Sequence, residues 1–303
     1  MKKSDSKQLP LATASIAGQA PGQFNLDPAS DNYCVMGNPV SHSKSPRIHQ
    51  AFAEQTRQSL VYQAIQVDDD DFPRTLDSFQ AAGGKGLNIT VPFKGDAWRS
   101  VDVASPRADK SEAVNTIWFA EDGTRHGDTT DGVGLVRDLS RHEILLQSKR
   151  ILLLGAGGAV RGVLASLLDE APAELMLVNR TVARAEALLE LFRGYPALKA
   201  GHYEALSGQR FDIIINGTSA SLNGELLPLP ADILAQGACC YDMVYADTDT
   251  VFNHWARQHG AAIVLDGLGM LVEQAAESFF IWRGIRPETR SVIEMLRSVK
   301  RKA

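Results

Sequence analysis

The stretch Ile151-Leu-Leu-Leu-Gly-Ala-Gly-Gly-Ala159 decides the fold. Four consecutive apolar residues have strand length, and the lack of a polar residue among them suits a parallel strand covered on both faces. The glycines that follow allow a tight turn. They also let backbone N–H groups approach a pyrophosphate at the N-terminus of a helix running to about Leu168. Val160 stands where the generic G-x-G-x-x-G pattern has its third glycine, so a plain glycine-rich strand-to-helix turn is the alternative reading. Outward from this point, similar apolar runs recur at Glu174–Val178, Phe211–Ile215, Ala238–Tyr241 and Ala262–Leu265, with helical segments between most of them. Strands alternating with helices imply βαβ units and a parallel sheet.

Upstream, Tyr33–Gly37, Val61–Val67, Leu87–Val91 and Ala113–Phe119 read as strands, and Pro46–Thr56 and Phe72–Ala82 as helices. Gly132–Gln147 reads as a helix joining two domains, and Leu271–Arg283 and Thr289–Val299 as closing helices. The chain has 303 residues, enough for two domains at about 100–200 residues each. Its 44% hydrophobic and 22% charged content excludes wholesale disorder. A net charge of -5 without a long basic run argues against nucleic acid or an anionic membrane as the main partner. No uninterrupted apolar run approaches the roughly 20 residues needed to span a bilayer. Cys34, Cys239 and Cys240 have neither zinc-ligand nor disulfide-framework spacing, so no metal is expected and a reducing cytoplasm is. Residues 1–30, rich in Ala, Ser, Gln, Gly and Pro, read as a disordered extension. As a secretory signal, Leu9–Ala17 is short and diluted by Pro10, Thr13 and Ser15, and Asp5 breaks the basic start.

An NAD-binding turn is followed about 20 residues on by a ribose-binding acid. Here Val178 leads into Asn179-Arg180-Thr181, with Arg184 next along. An arginine at that strand end accepts an adenosine 2′-phosphate, with Thr181 adding a hydroxyl donor and Arg184 a second cation, which favours NADP. The alternative is a solvated helix start, where cations are mildly unfavourable against the dipole.

Three further segments carry polar residues where strands end. Gly37-Asn-Pro-Val-Ser-His-Ser-Lys-Ser-Pro46 places Ser43 and Ser45 before a helix, where hydroxyls and the dipole suit a carboxylate, though Ser45 could equally cap the helix. In Asn88-Ile-Thr-Val-Pro-Phe-Lys94, Asn88 and Thr90 share one strand face and Lys94 emerges just past the strand end, where open α/β sheets bind ligands; a lone lysine is more often a solvated charge. Gly127-Asp-Thr-Thr-Asp-Gly-Val-Gly134 sets Asp131 between glycines at the domain hand-over, as ligand or as helix cap. Together Lys94 and Asp131 supply what ketone reduction needs: an ammonium to protonate the alkoxide and a carboxylate to orient it.

With these motifs, and with Ala113-Val-Asn-Thr116, Tyr241-Asp-Met-Val-Tyr245 and Asp266-Gly-Leu-Gly-Met-Leu-Val272 before Gln274-Ala275, the chain resembles the shikimate dehydrogenase family from Tyr33 to about Val299. The resemblance implies an α/β protein of two domains with a cleft between them. A mixed α/β substrate domain would span residues 31–132, completed by residues 268–303, and a Rossmann-type NADP-binding domain residues 133–267. It implies NADPH-dependent reduction of 3-dehydroshikimate to shikimate, by a monomer or homodimer. Ser43, Ser45 and Tyr245 would then hold the substrate carboxylate. Thr90, Asn115, Asp131 and Gln274 would bind the ring hydroxyls and ketone, with Lys94 as acid/base. Gly155, Ala156, Gly157, Gly158 and Ala159 would hold the pyrophosphate, and Asn179, Arg180, Thr181 and Arg184 the adenosine end. Thr218, Met243 and Gly267 would line the nicotinamide side.

Two departures stand out. Thr129 occupies a position usually held by asparagine, and Ser111-Glu112 precede Ala113 where small residues are commoner, placing a charge near Asn115. Both leave room for a quinate/shikimate or related polyol-acid dehydrogenase. A regulator that kept the fold and lost turnover is disfavoured by the intact Lys94 and Asp131 and by the lack of a basic amphipathic pattern in residues 1–30.

Overall fold

In the computed structural model, which describes Phe24 and residues 26–299, the chain forms two six-stranded sheets. The first contains β1 (Asp31–Gly37), β2 (Leu60–Gln66), β3 (Gly86–Ile89), β4 (Val103–Ala104), β5 (Thr116–Phe119) and β6 (Arg125–Asp128), in the order β2-β1-β3-β5-β6-β4. It is mixed: β1 runs parallel to β2 and β3, whereas β5 pairs antiparallel with β3 and β6. Its helices are α1 (Ser45–Thr56), α2 (Phe72–Ala81), α3 (Lys94–Arg99) and α4 (Pro106–Ser111), after which α5 (Asp131–Arg141) leads to the second sheet.

The second sheet holds β7 (Arg150–Leu154), β8 (Glu174–Val178), β9 (Leu198–Gly201), β10 (Phe211–Asn216), β11 (Leu234–Asp242) and β12 (Ile263–Asp266), all parallel, in the order β12-β11-β10-β7-β8-β9. Numbered from β7 this is the doubly wound order 3-2-1-4-5-6, with the switch point between β7 and β10. Its helices are α6 (Gly158–Asp169), α7 (Val182–Leu191) and α8 (Val251–Gln258); α9 (Leu268–Arg283) and α10 (Arg290–Val299) follow.

The unbroken apolar run in β7 has its reason in this layering. Ile151 and Leu153 pack with Val163, Leu164 and Leu167 of α6, while Leu152 and Leu154 face Phe252 and Trp255 of α8 on the opposite side. Each fully buried leucine there contributes about 1.5–3 kcal/mol by leaving water.

The helix α9 returns to the first sheet. Its Trp282 indole N–H donates to the Ile117 carbonyl at 3.1 Å, and the ring stacks on Tyr33 with centroids 4.6 Å apart. Arg283 pairs with Asp31 at the start of β1. Against α5, α9 lies so close at Gly269 that a Cβ there would stand 2.0 Å from Asp138 Oδ1, which only a glycine avoids.

Three expectations shift. The joining helix expected to reach Gln147 ends at Arg141, because Glu143 turns left-handed at φ 61 and Leu146 folds inward onto the second core. The strand expected to run to Val91 ends at Ile89, ahead of the proline. Of the expected extension, residues 1–23 and 25 lie outside the described residues. Phe24 packs edge-on against Phe79 with centroids 5.4 Å apart, and the Asn32 side-chain amide donates to the Asp27 carbonyl at 2.8 Å, so packed structure begins before Asp31.

One buried group sets an acid limit on stability. His49 of α1 stacks on Tyr62 with centroids 4.2 Å apart, and neither of its ring nitrogens has a hydrogen-bond partner among the described residues. Burial pushes its pKa down from 6.5 to about 3, against a smaller opposing influence of Asn88. The folded ring therefore stays neutral in a range where the unfolded chain binds a proton, so stability is lost as pH falls from 6.5 toward about 3. Between pH 7 and pH 5 the loss from this group is about 2 kcal/mol. His49→Phe, which keeps a stacked ring, flattens that limb of a plot of Tm against pH; an unchanged limb would assign the acid sensitivity elsewhere.

Candidate active site

Residues just past the carboxyl ends of β1, β3, β11 and β12, with the first turns of α9, line a cleft of about 360 Å³. On its wall, Lys94 Nζ lies 2.5 Å from Asp131 Oδ2, the two side chains being 18% and 10% exposed. Desolvation offsets most of the attraction in such a pair, so its presence in a cleft argues for chemistry more than for stability. Asp131 is the first residue of α5, and no side chain caps that helix. Its other oxygen, Oδ1, accepts from Asn115 Nδ2 at 2.9 Å, so both oxygens hold the constellation together and the capping alternative falls away.

Asn115 is held in turn. Its Oδ1 accepts from the Thr130 amide at 2.9 Å and from the Thr116 hydroxyl at 2.8 Å. Behind it Asn88 Oδ1 accepts from Tyr62 OH at 2.7 Å, while Asn88 Nδ2 donates to Ser278 Oγ at 2.9 Å and to the Asn115 carbonyl at 3.1 Å. Gln274 donates to the Leu271 carbonyl at 2.8 Å and accepts from the Thr130 hydroxyl at 3.4 Å. A network satisfied this fully fixes rotamers, which is what a positioned acid requires.

At the other end of the cleft, Ser45 lies inside α1, whose N-cap is Lys44 with no side-chain cap bond, so Ser45 is not the cap. Ser43 Oγ accepts from the Ser45 amide at 3.2 Å. Thr90 fits over Gly37, where a Cβ would stand 2.2 Å from its methyl group. Tyr245 faces these residues from the loop after β11. Burial raises its pKa, which keeps its hydroxyl a donor, and Lys44 Nζ sits 4.9 Å from its ring centroid. Met243 and Gly267 also line the cleft, and Gly267 sits where a Cβ would approach the Met243 carbonyl oxygen to 2.0 Å.

The glycine turn lies at the ends of β7 and β8, apart from this lining. Gly155 adopts φ 107, a left-handed value that excludes most side chains. Apart from the adjoining residues and the backbone of α6 itself, no described atom lies within 4 Å of a Cβ built on Gly157 or Gly158, and the α6 N-terminus has no side-chain cap. The turn formed by residues 155–159, with Ala156 and Ala159 in it, thus presents uncapped N–H groups to open space, which fits a dinucleotide pyrophosphate. At the end of β8, Asn179 Nδ2 donates to the Thr181 carbonyl at 2.8 Å. Arg180 and Arg184 are exposed and form no ion pair among the described residues. Thr218 donates to Asn216 Oδ1 at 2.7 Å and adjoins Gly155 instead of lining the cleft.

Several residues escaped the sequence reading. Asn216, Asp242 and Asp266 are register neighbours at the ends of β10, β11 and β12. Buried Asp242 accepts from Ser221 and Thr250 hydroxyls, both at 2.6 Å, tying together the loops after β10 and β11. Burial raises its pKa against the pull of these bonds. A polar residue closing each apolar run was the available signal. The network of Asn88, Thr116, Thr130 and Ser278 had no such local sign. Thr129, one of the two departures, is buried with its hydroxyl unpartnered among the described residues. No group of three or more potential metal ligands occurs among the described residues, and no described helix is long and apolar enough to cross a membrane.

A doubly wound sheet with an open glycine turn, set beside a lysine–carboxylate pair in a cleft, defines a two-sheet oxidoreductase that works with a dinucleotide. Residues 35–117 match the family model of the shikimate dehydrogenase substrate binding domain, residues 138–223 that of shikimate / quinate 5-dehydrogenase, and residues 267–297 that of the shikimate 5'-dehydrogenase C-terminal domain. The chain is 60% identical over 269 residues to the shikimate dehydrogenase (NADP(+)) of Alkalilimnicola ehrlichii, covering 88% of this chain and 99% of that protein. It is 54% identical over 268 residues to the enzyme of the same name from Cellvibrio japonicus, covering 88% and 97%. It matches the crystal structure of shikimate 5-dehydrogenase from Thermus thermophilus in complex with NADP(H) and shikimate with a TM-score of 0.80 and 32% identity, covering 89% of this chain and 99% of that one. The chain belongs to the shikimate dehydrogenase family.

Proposed function

We propose that the chain catalyses the reversible NADPH-dependent reduction of 3-dehydroshikimate to shikimate, a step toward the aromatic amino acids. The observation that carries the mechanism is the Lys94–Asp131 pair, 2.5 Å apart and steadied by Asn115. NADPH, when bound, supplies the hydride. Lys94 holds the proton that the alkoxide oxygen of the ring takes up, and returns to its protonated state through solvent. Asp131 keeps the ammonium aimed and balances its charge. Ser43, Ser45 and Tyr245 take the ring carboxylate, and Thr90, Asn115 and Gln274 the hydroxyls, so the ring lies with its ketone toward Lys94.

The pyrophosphate rests on Gly155, Ala156, Gly157, Gly158 and Ala159. Asn179, Arg180, Thr181 and Arg184 hold the adenosine end with its 2′-phosphate, and Thr218, Met243 and Gly267 flank the nicotinamide. In this reading residues 31–132 and 268–303 form the substrate domain and residues 133–267 the cofactor domain. The protein acts as a monomer or homodimer in the cytoplasm, in keeping with three free, buried cysteines.

Initial rates with shikimate and with quinate, each paired with NADP+ and NAD+, test this reading. Shikimate with NADP+ gives the highest kcat/KM. A higher value for quinate would move the chain to a sibling activity, as the Thr129 departure leaves open.

A further inference from the structure

We propose that Glu112 and Arg161 form a latch between the two sheets that positions the dinucleotide helix α6 against Asp131, so that nucleotide and ring acid strengthen each other's binding. This rests on the site assignments above. Glu112 ends α4 at φ 44 and ψ 39, a left-handed conformation that glycine adopts freely and a glutamate only at a cost. Its side chain is therefore held by something specific, and its carboxylate pairs with the Arg161 guanidinium on the first turn of α6.

A second bridge from α4 reaches the far end of the same helix. Lys110 Nζ donates to Tyr195 OH at 2.7 Å, and that hydroxyl donates to Oδ1 of Asp169, the last residue of α6, at 2.5 Å. Held near both ends, α6 cannot tilt or slide relative to α4 without breaking a contact.

The position of α6 matters because of the residue next to Arg161. A Cβ on Gly162 would stand 3.1 Å from Asp131 Oδ2, the oxygen that pairs with Lys94. One helix therefore presents the pyrophosphate turn at its N-terminus and the floor beneath Asp131 one turn later. On the other side of the latch, the chain from Glu112 runs directly to Asn115, which donates to Asp131 at 2.9 Å. Glu112 thus joins both supports of the Asp131 carboxylate and is a positioning residue, acting through Asp131 without touching ligand. The Arg161 and Glu112 side chains are 31% and 40% exposed, so the pair is screened by solvent and its effect is a tuning one, about 3–5-fold in an equilibrium constant.

The test measures NADP+ affinity by calorimetry with and without saturating 3-dehydroshikimate, both oxidised so that no hydride passes. In the natural protein the ring acid tightens NADP+, and by linkage NADP+ tightens the ring acid by the same factor. In Glu112→Gly and Glu112→Gln this factor falls about 3–5-fold, while affinity for NADP+ alone is unchanged. The Tm of Glu112→Gly is equal or higher, since glycine suits the backbone there. The exchanged pair Glu112→Arg with Arg161→Glu restores the coupling. An unchanged factor in Glu112→Gly, or a loss that the exchanged pair fails to restore, overturns the latch. A failure of the natural protein to bind NADP+ at all would instead overturn the site assignment on which the latch rests.

Discussion

Lys94→Ala lowers kcat by about 10²–10⁴-fold at saturating 3-dehydroshikimate and NADPH, with nucleotide affinity nearly unchanged. The reason is positional. Lys94 begins α3 one short turn past the end of β3, and its ammonium is held 2.5 Å from Asp131 in a wall where the pair is mostly shielded from water. Removing it leaves the alkoxide without an aligned proton donor and leaves Asp131 as an unpaired charge facing the ketone, so the barrier rises twice over. Lys94→Arg keeps the charge but releases a proton far less readily, so it stays slow as well. The glycine turn and Arg180 lie at the ends of other strands, which is why the nucleotide still binds. Steady-state kinetics paired with calorimetry separate these quantities. A kcat within a few-fold of the natural protein would reduce Lys94 to a surface charge.

Arg180→Ala weakens NADP+ by about 10–100-fold and leaves NAD+ nearly unaffected, the range expected for losing a hydrogen bond between charged groups. Arg180 is exposed at the carboxyl end of β8, and no described carboxylate pairs with it. Arg184, in the first turn of α7, supplies a second cation and prevents complete loss of selectivity. Thermal-shift titrations with both nucleotides read the difference. An equal loss for NAD+ would mean that Arg180 contacts the ribose or adenine shared by the two and not the 2′-phosphate.

Much of this was legible from residues alone, for reasons that differ between the two sheets. In the second sheet both faces are covered, so β7, β8 and β10 each carry a run of three or four consecutive apolar residues that announces the strand. In the first sheet the strands on one side are short: β4 has two residues and β6 reads Arg-His-Gly-Asp, and the pairing of β6 with β5 depends on neighbours, not on pattern. The site divides the same way. Lys94, Asp131 and the glycine turn stand where strands end, a position the sequence marks. Asn88 and Ser278 are separated by 190 positions and meet only because α9 folds back across the first sheet.

By itself, then, the sequence determined the parallel class of the second sheet, the glycine turn that opens α6, and the polar side chains that stand where strands end, Lys94, Asp131 and Arg180 among them. Local periodicity and the chemistry at strand ends are properties of neighbouring residues. The tertiary structure decided which oxygen of Asp131 faces Lys94 and which faces Asn115, what holds Asn115 in place, and how closely α6 approaches at Gly162. Those depend on the crossing of elements far apart in the chain, where glycines permit contacts of about 3 Å or less that no local pattern records. Glu112 shows the difference most clearly. In the sequence it was an unexplained charge beside the site, and only the fold shows that its partner is Arg161, on the helix that follows the glycine turn.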